Sequence, residues 1–351
     1  MRNNRLAMVA LCALAVIMLA SACERTVTTV QETHTASACF DCHSDQNTEL
    51  VAAEAQWAYS VHASGENIDR NATSRGTMCQ VCHTSEGFVA KATGVTVPAV
   101  VDNPTAIHCF TCHAPHTNSD LRLRVNDPQS LATGDSFDMN AANICASCHV
   151  SRRDVNTYVE EPTDLSEHWG PHLSPQSDVL WGYNGYEYPA YVPYGKTDHR
   201  GATEDGCLDC HFRSTSNYVV GGHSFNMEFV SHGDTLLNTT CGGCHGNLDD
   251  FNRNGVQDSV HTLMEDLLGR LIAAGLMDST GHALDNVTTS QDSAGAVWNF
   301  LLAEEDRSGG IHNPQYIIEL LNSAIEFIRT GPVPTPPVAG KVEDDDIVSR
   351  K

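Results

Sequence analysis

Cys39-Phe40-Asp41-Cys42-His43 is the first of six pentads of the form Cys-x-x-Cys-His. The others are Cys79/Cys82/His83, Cys109/Cys112/His113, Cys145/Cys148/His149, Cys207/Cys210/His211 and Cys241/Cys244/His245. Random placement of 14 Cys and 18 His in 351 residues would give about 0.03 such pentads. Structural zinc or a redox Cys-x-x-Cys accounts for one copy, but not for a His at the same offset six times. The pattern is the attachment signal of haem c. Each thiol forms a thioether with one vinyl group of a porphyrin, and the His that follows binds the iron as the proximal ligand. Six haem c groups are therefore expected, each on a short helical turn followed by loop.

The remaining cysteines, Cys12 and Cys23, lie in or at the end of an N-terminal leader. No thiol is left for a structural disulfide, so the porphyrins take over the cross-linking that disulfides give other exported chains. The formal net charge is −24, from 44 Asp and Glu against 20 Lys and Arg. Such a surface repels nucleic acid and anionic membranes and suits basic proteins, cations or mineral surfaces. The plainer reading is that acidity keeps an exported protein soluble.

Residues 1–22 read as a signal peptide. Arg2 and Arg5 are followed by the apolar run Leu6–Ala20 and the small pair Ser21-Ala22. Leu19-Ala20-Ser21-Ala22-Cys23 has the form of a lipoprotein cleavage site, with Cys23 the acylated residue. Glu24 in place of Asp directs such a lipoprotein to the outer membrane. Residues 23–36 read as a tether, with His34 solvated or serving an iron at a distance or in a neighbouring subunit. Residues 37–246 form the haem region. First-Cys spacings of 40, 30, 36, 62 and 34 rule out an exact repeat array. The longest gap holds His168, His172 and the aromatic stretch Trp181, Tyr183, Tyr186, Tyr188, Tyr191 and Tyr194, expected to pack on haem edges. Residues 247–330 turn helical. Leu263, Leu267, Leu268, Leu271 and Ile272 follow one helix face, and Val297, Phe300 and Leu301 repeat the pattern. Asn313 can cap a helix opening at Pro314, with Ile317, Leu320, Leu321, Ala324 and Ile328 buried. Residues 331–351 are a Pro-rich, acidic tail of disordered composition. The expected fold is mainly α with extensive loops: a haem-cored region followed by a small helical C-terminal cap.

What fills the second axial position separates a wire from an enzyme. A second His gives a six-coordinate, low-potential iron, Met raises the potential, and an open position admits substrate. Twelve His remain beyond the proximal six, so supply exceeds demand and bis-His ligation is expected. The distal candidates are His62, on a helix with Trp57 and Tyr59, and His108, His116, His172, His199 and His223. His168 competes with His172, His232 with His108, and Met227 is the thioether alternative. His223 follows Gly221-Gly222, which allow close approach of backbone to a porphyrin. His261, His282 and His312 read as packing or surface residues. Asp250, Asn252, Asn254, Val256 and Asp258 match the first half of an EF-hand calcium loop, with Gly255 at the sixth position. His261 stands where the bidentate Glu belongs; the alternative is a polar turn that starts the next helix.

The six motifs, the Trp57-to-His62 segment, the Gly-Gly-His223 turn and the Gly310-Ile-His-Asn-Pro314 helix start resemble multihaem cytochromes of metal- and sulfur-respiring bacteria. That resemblance covers most of residues 37–330. It implies electron transfer in the periplasm, at the outer membrane or at the cell surface, to redox proteins or extracellular acceptors such as metal oxides. Some hexahaem members self-assemble into filaments through a continuous haem stack. The membrane would be reached only through the lipid anchor, and nucleic acid is not a partner. The alternative is an oxidoreductase acting on a small nitrogen or sulfur compound, with Arg122, Arg124, Arg152 or Arg153 facing an open iron. No motif reads Cys-x-x-Cys-Lys, which departs from the nitrite reductase pattern, and there are fewer motifs than in octahaem enzymes.

Overall fold

A computed structural model describes residues 47–330, apart from 66–67, 74–75, 119–120, 192, 197–198, 214 and 247. The leader, the tether with Cys23 and His34, the first motif (Cys39, Cys42, His43) and the tail lie outside the described residues. The chain divides at Val51/Ala52 into two compact units. Of the first, only the start of the helix Thr48–Trp57 is described; the other described residues belong to the second.

The motif segments form helices of one or two turns: Thr77–His83, Cys109–Cys112, Asn143–Ala146, Cys207–His211 and Gly242–His245. Residues three apart on such a turn share a face, which brings both thiols of a motif to one side. Loops and three two-stranded antiparallel ribbons connect them. Glu228–Ser231 pairs with Asp234–Leu237 through a His232-Gly233 turn with φ of 54° and 89° at its centre. Two positive φ values are what a two-residue hairpin of this twist requires. The first helix is not continuous to His62 as expected. It ends at Trp57, and Ser60 opens a second helix, Val61–Ser64, by accepting from the Ala63 N–H. Trp57 Nε1 instead donates to the Ile107 carbonyl at 2.9 Å.

Three long helices follow the motifs: α1, Val256–Ala273; α2, Gln291–Asp306; and α3, Pro314–Thr330. Asn313 is fully buried; its Oδ1 accepts from the Tyr316 N–H and its Nδ2 donates to the Val179 carbonyl. The sequence shows α2 with one apolar face, yet twelve of its sixteen residues are buried. Burial on all sides follows from what surrounds it. α1 and α3 cover one side, and residues 155–191 of the long gap cover the other. Asn299 exchanges two hydrogen bonds with the Tyr186 backbone, at 2.7 and 2.9 Å. Trp298 Nε1 donates to the Asn184 carbonyl. A Cβ at Gly295 would stand 2.2 Å from the Tyr186 ring, so only glycine fits there.

The aromatic stretch is therefore placed differently from expectation. Tyr186, Tyr188, Tyr191 and Tyr194 pack on the C-terminal helices, with Tyr188 stacked on Phe327 at 5.1 Å. Strand Thr163–Leu165 pairs with Val287–Thr289 and ties the same regions together. The helical cap thus shares its core with residues 155–191 instead of beginning at residue 247. A smaller cluster of Leu131, Phe137, Met139, Ala142, Ala146 and Leu180 takes in Trp181, Tyr183 and Cys207. Both hydrophobic clusters lie in residues 131–328 of the described chain. This fits porphyrin faces serving as the apolar filling nearer the N-terminus. Among the described residues no helix is long and apolar enough to cross a membrane.

Candidate haem-ligand pairs

Each of the five described motif histidines faces a second His. The ring-centre distances are 6.4 Å for His83 and His172, 6.4 Å for His113 and His223, 6.1 Å for His149 and His62, 6.3 Å for His211 and His312, and 6.0 Å for His245 and His199. An imidazole nitrogen lies about 1.1 Å from its ring centre and about 2 Å from a first-row metal it binds. Two imidazoles on opposite sides of one iron therefore stand about 6.2 Å apart. All five spacings fit.

The hydrogen bonds of the rings point the same way. A neutral imidazole has one N–H and one lone pair, so an Nδ1–H that donates leaves Nε2 free to bind metal. Acceptors stand at Nδ1 of His113 (Leu121 O), His149 (Gln176 Oε1, 3.1 Å), His199 (Ile311 O, 2.9 Å), His211 (Phe225 O, 2.9 Å) and His312 (Asp306 Oδ1, 2.7 Å). Burial, with His149 adding to it, pushes the His62 imidazolium down to about 4; burial with Arg152 does the same at His172. Both rings are held neutral, as a ligand must be. His312 differs. Burial pushes it down, but the Asp306 carboxylate outweighs that and the net direction is up.

His62, His172, His199 and His223 stand opposite motif histidines, and the sequence pattern had singled them out. His312, read as a packing or surface residue, faces His211 from the loop between α2 and α3. His108 takes another role. Its Nδ1 accepts from the Phe110 N–H at 3.2 Å while its own N–H donates to Thr111 Oγ1, so it caps the Cys109–Cys112 helix. An accepting Nδ1 leaves the proton on Nε2 and removes the lone pair a metal needs. His116 is exposed on the turn Pro115–Asn118, its ring 5.7 Å from Phe110. It faces none of the five described motif histidines. His232 sits at a hairpin tip beside Ser231, His168 beside Glu167, His261 beside Glu265 and His282 beside Thr280. Gly221 and Gly222 make room for protein: Cβ atoms there would meet Arg213 O at 2.1 Å and Gln56 Oε1 at 2.4 Å.

Thiols of different motifs meet. Cys82 is hydrogen-bonded to Cys148, and Cys145 to Cys207. Cys112 lies within electrostatic reach of Cys145 and Cys148, and Cys210 within reach of Cys241 and Cys244. The ten described cysteines are all free of disulfides. The spatial order of attachment sites is thus second, fourth, fifth, sixth, with the third beside the fourth.

The calcium-loop residues make a different structure. Asn252 Nδ2 donates to Asp258 Oδ2, the Asn252 N–H to Asp250 Oδ1, and the Asp258 N–H to Asn252 Oδ1. Asn254 takes φ 57°, and α1 begins at Val256, whose carbonyl is turned into the helix instead of toward the loop. The segment is a polar turn that starts α1. Of the arginines, Arg124 donates to the Phe110 and His113 carbonyls and Arg153 to Gly170, so both brace backbone.

A mainly helical, loop-rich chain with haem c attachment turns and facing imidazoles is a multihaem c-type cytochrome. Two curated proteins carry the same description. The chain is 21% identical over 417 aligned residues to the C-type polyheme cytochrome OmcB of Geobacter sulfurreducens, covering 84% of this chain and 55% of OmcB. It is 23% identical over 336 residues to the C-type polyheme cytochrome OmcC of the same organism, covering 74% of this chain and 43% of OmcC. The chain therefore spans about half the length of the curated relatives it matches. The crystal structure of the outer cell wall cytochrome OcwA shares the fold, with a TM-score of 0.51, 18% identity, and 78% of this chain against 49% of that one. No family model matches the chain.

Proposed function

We propose that this protein carries electrons through six covalently attached haem c groups, each iron held between two imidazoles. The observation that carries the reading is the set of five His–His pairs at 6.0–6.4 Å. Haem c with two imidazoles supplies one-electron exchange with little change of ligand geometry. The chain's own contribution is to hold each ring in place. Nδ1 acceptors fix the tautomer and the ring plane, and the capping and hairpin contacts keep the loops from moving. The pair for His43 is assigned to His116, because four other distal candidates already face motif histidines and His108 caps a helix. The meeting of Cys82 with Cys148 and of Cys145 with Cys207 supports an electron path that runs second, fourth, fifth, sixth, with the third site joining at the fourth.

Names among the relatives, together with the leader at residues 1–22, support export and exchange with redox proteins or acceptors outside the cell. Lipidation at Cys23 belongs to the same proposal. The alternative of a substrate-open iron draws no support from the five described pairs. The test is the matured protein itself. Its mass should exceed that of the polypeptide by six haems. Its oxidised electron paramagnetic resonance spectrum should be low-spin, and reductant should reduce all haems without added substrate. A persistent high-spin fraction with rapid nitrite or hydroxylamine turnover would replace this reading with the enzymatic one.

A further inference from the structure

We infer that Asp306 sets the reduction potential of the iron bound to His211, making that haem more reducing than the other four described. The inference rests on the proposed His211–His312 pair. Asp306 is the last residue of α2, and its side chain is 0% exposed. Its Oδ1 accepts from His312 Nδ1 at 2.7 Å, and its Oδ2 accepts from the Ser308 hydroxyl. Ser308 Oγ in turn accepts from the His312 N–H at 3.2 Å, so the carboxylate and the ring are held in one closed set of contacts. The location is unfavourable for an anion on two counts. It is buried, and it stands at a helix C-terminus, where the aligned peptide dipoles already place partial negative charge. A carboxylate kept there against both costs is explained by its partner.

That partner faces an iron position, and its Nδ1 acceptor differs in kind from the others. His113, His149, His199 and His211 donate to Leu121 O, Gln176 Oε1, Ile311 O and Phe225 O, which are all neutral carbonyl oxygens. A carboxylate pulls the Nδ1 proton harder than a carbonyl and leaves more electron density on Nε2. Greater density at the ligand nitrogen favours the ferric over the ferrous state and lowers the potential. The buried anion adds a through-space term of the same sign. Asp306 acts through His312 and is a positioning and tuning residue, not a ligand.

The experiment is a redox titration of the full-length, haem-loaded protein, followed by magnetic resonance that resolves individual haems, on wild type and Asp306→Asn. In the variant one haem should become easier to reduce. Its ferrous-to-ferric ratio at fixed potential should rise at least tenfold, which for one electron is a shift of about 59 mV, while the other haems stay put and all remain low-spin. Ser308→Ala removes the competing donor on Oδ2 and should shift the same haem the opposite way; it also serves as the test if Asp306→Asn fails to mature. Unchanged potentials in a variant that keeps all low-spin signals would overturn the role of Asp306. If His312→Ala leaves every low-spin signal intact, it is the His211–His312 pairing, and with it the underlying reading, that is wrong.

Discussion

His312 and His108 carry the same side chain and differ in which nitrogen keeps its proton. At His312 the Asp306 carboxylate takes the Nδ1–H; at His108 the Phe110 N–H occupies Nδ1. Replacing His312 with Ala should therefore convert one haem to a high-spin or newly ligated form, seen as loss of one low-spin signal. His108→Ala should keep every low-spin signal and cost about 1 kcal/mol as a lost helix cap. The motif histidines were legible because attachment chemistry fixes their offset from two Cys. Four distal ones were legible because they sit near the motifs in an otherwise His-poor context. His312 was not, since 67 residues separate it from the last motif and only the return of the chain between α2 and α3 brings it to His211. Asp178 illustrates a second residue-level effect. It is fully buried, its Oδ2 accepts from the Ser151 N–H at 2.7 Å, and burial pushes its carboxyl up to about 6 from 3.8. The folded state then holds the proton more tightly than the unfolded one. The stability from the neutral form is complete below pH 3.8 and is lost as pH rises through about 6. Asp178→Asn should match wild type at pH 4 and be more stable by roughly 1–3 kcal/mol at pH 7, read as the shift in urea midpoint at the two pH values.

At the level of elements, the three long helices were readable because Leu267, Leu271, Ile317, Leu320 and Leu321 repeat at three and four residues, and Asn313-Pro314 marks a helix start. What packs against them was not. The periodicity of α2 shows an apolar stripe, whereas Trp298 and Asn299 bind residues 184–186 of the motif region through directed hydrogen bonds. Polar side chains facing a loop backbone leave no hydrophobic signature. The same gap explains why the tyrosines were read as haem-edge packing: their composition suits either surface. Because the core is shared, damage to it should reach the haems. Leu320→Ala, at a fully buried site, should destabilise by about 2–5 kcal/mol. Loss of the helical circular dichroism signal and loss of the His211 low-spin signal should occur in one unfolding transition. Two separate transitions would mean that the helices form an independent domain. Gly295→Ala should be as damaging, through the clash with Tyr186.

For the whole molecule, the governing quantity is charge. With 44 acidic against 20 basic residues, the formal net charge of −24 sets up a field that reaches about 10 Å into solvent at 0.1 M salt and about 30 Å at 0.01 M. It does not decide the fold, which follows from attachment motifs and helix periodicity, but it biases who can approach. A small cationic electron donor is drawn in and an anionic one is held off, and both effects are screened by salt. Stopped-flow reduction should therefore show opposite ionic-strength dependences. The second-order rate constant with a reduced viologen cation should fall as salt is raised from about 0.01 to 0.5 M, and that with dithionite should rise. Because the haem chemistry is common to both reactions, the crossing of the two trends isolates the surface term. Parallel trends would mean that electrons enter at a patch whose local charge is opposite to the total. Asp-to-Asn and Glu-to-Gln changes near each attachment site would then identify that patch by which one flattens the viologen dependence.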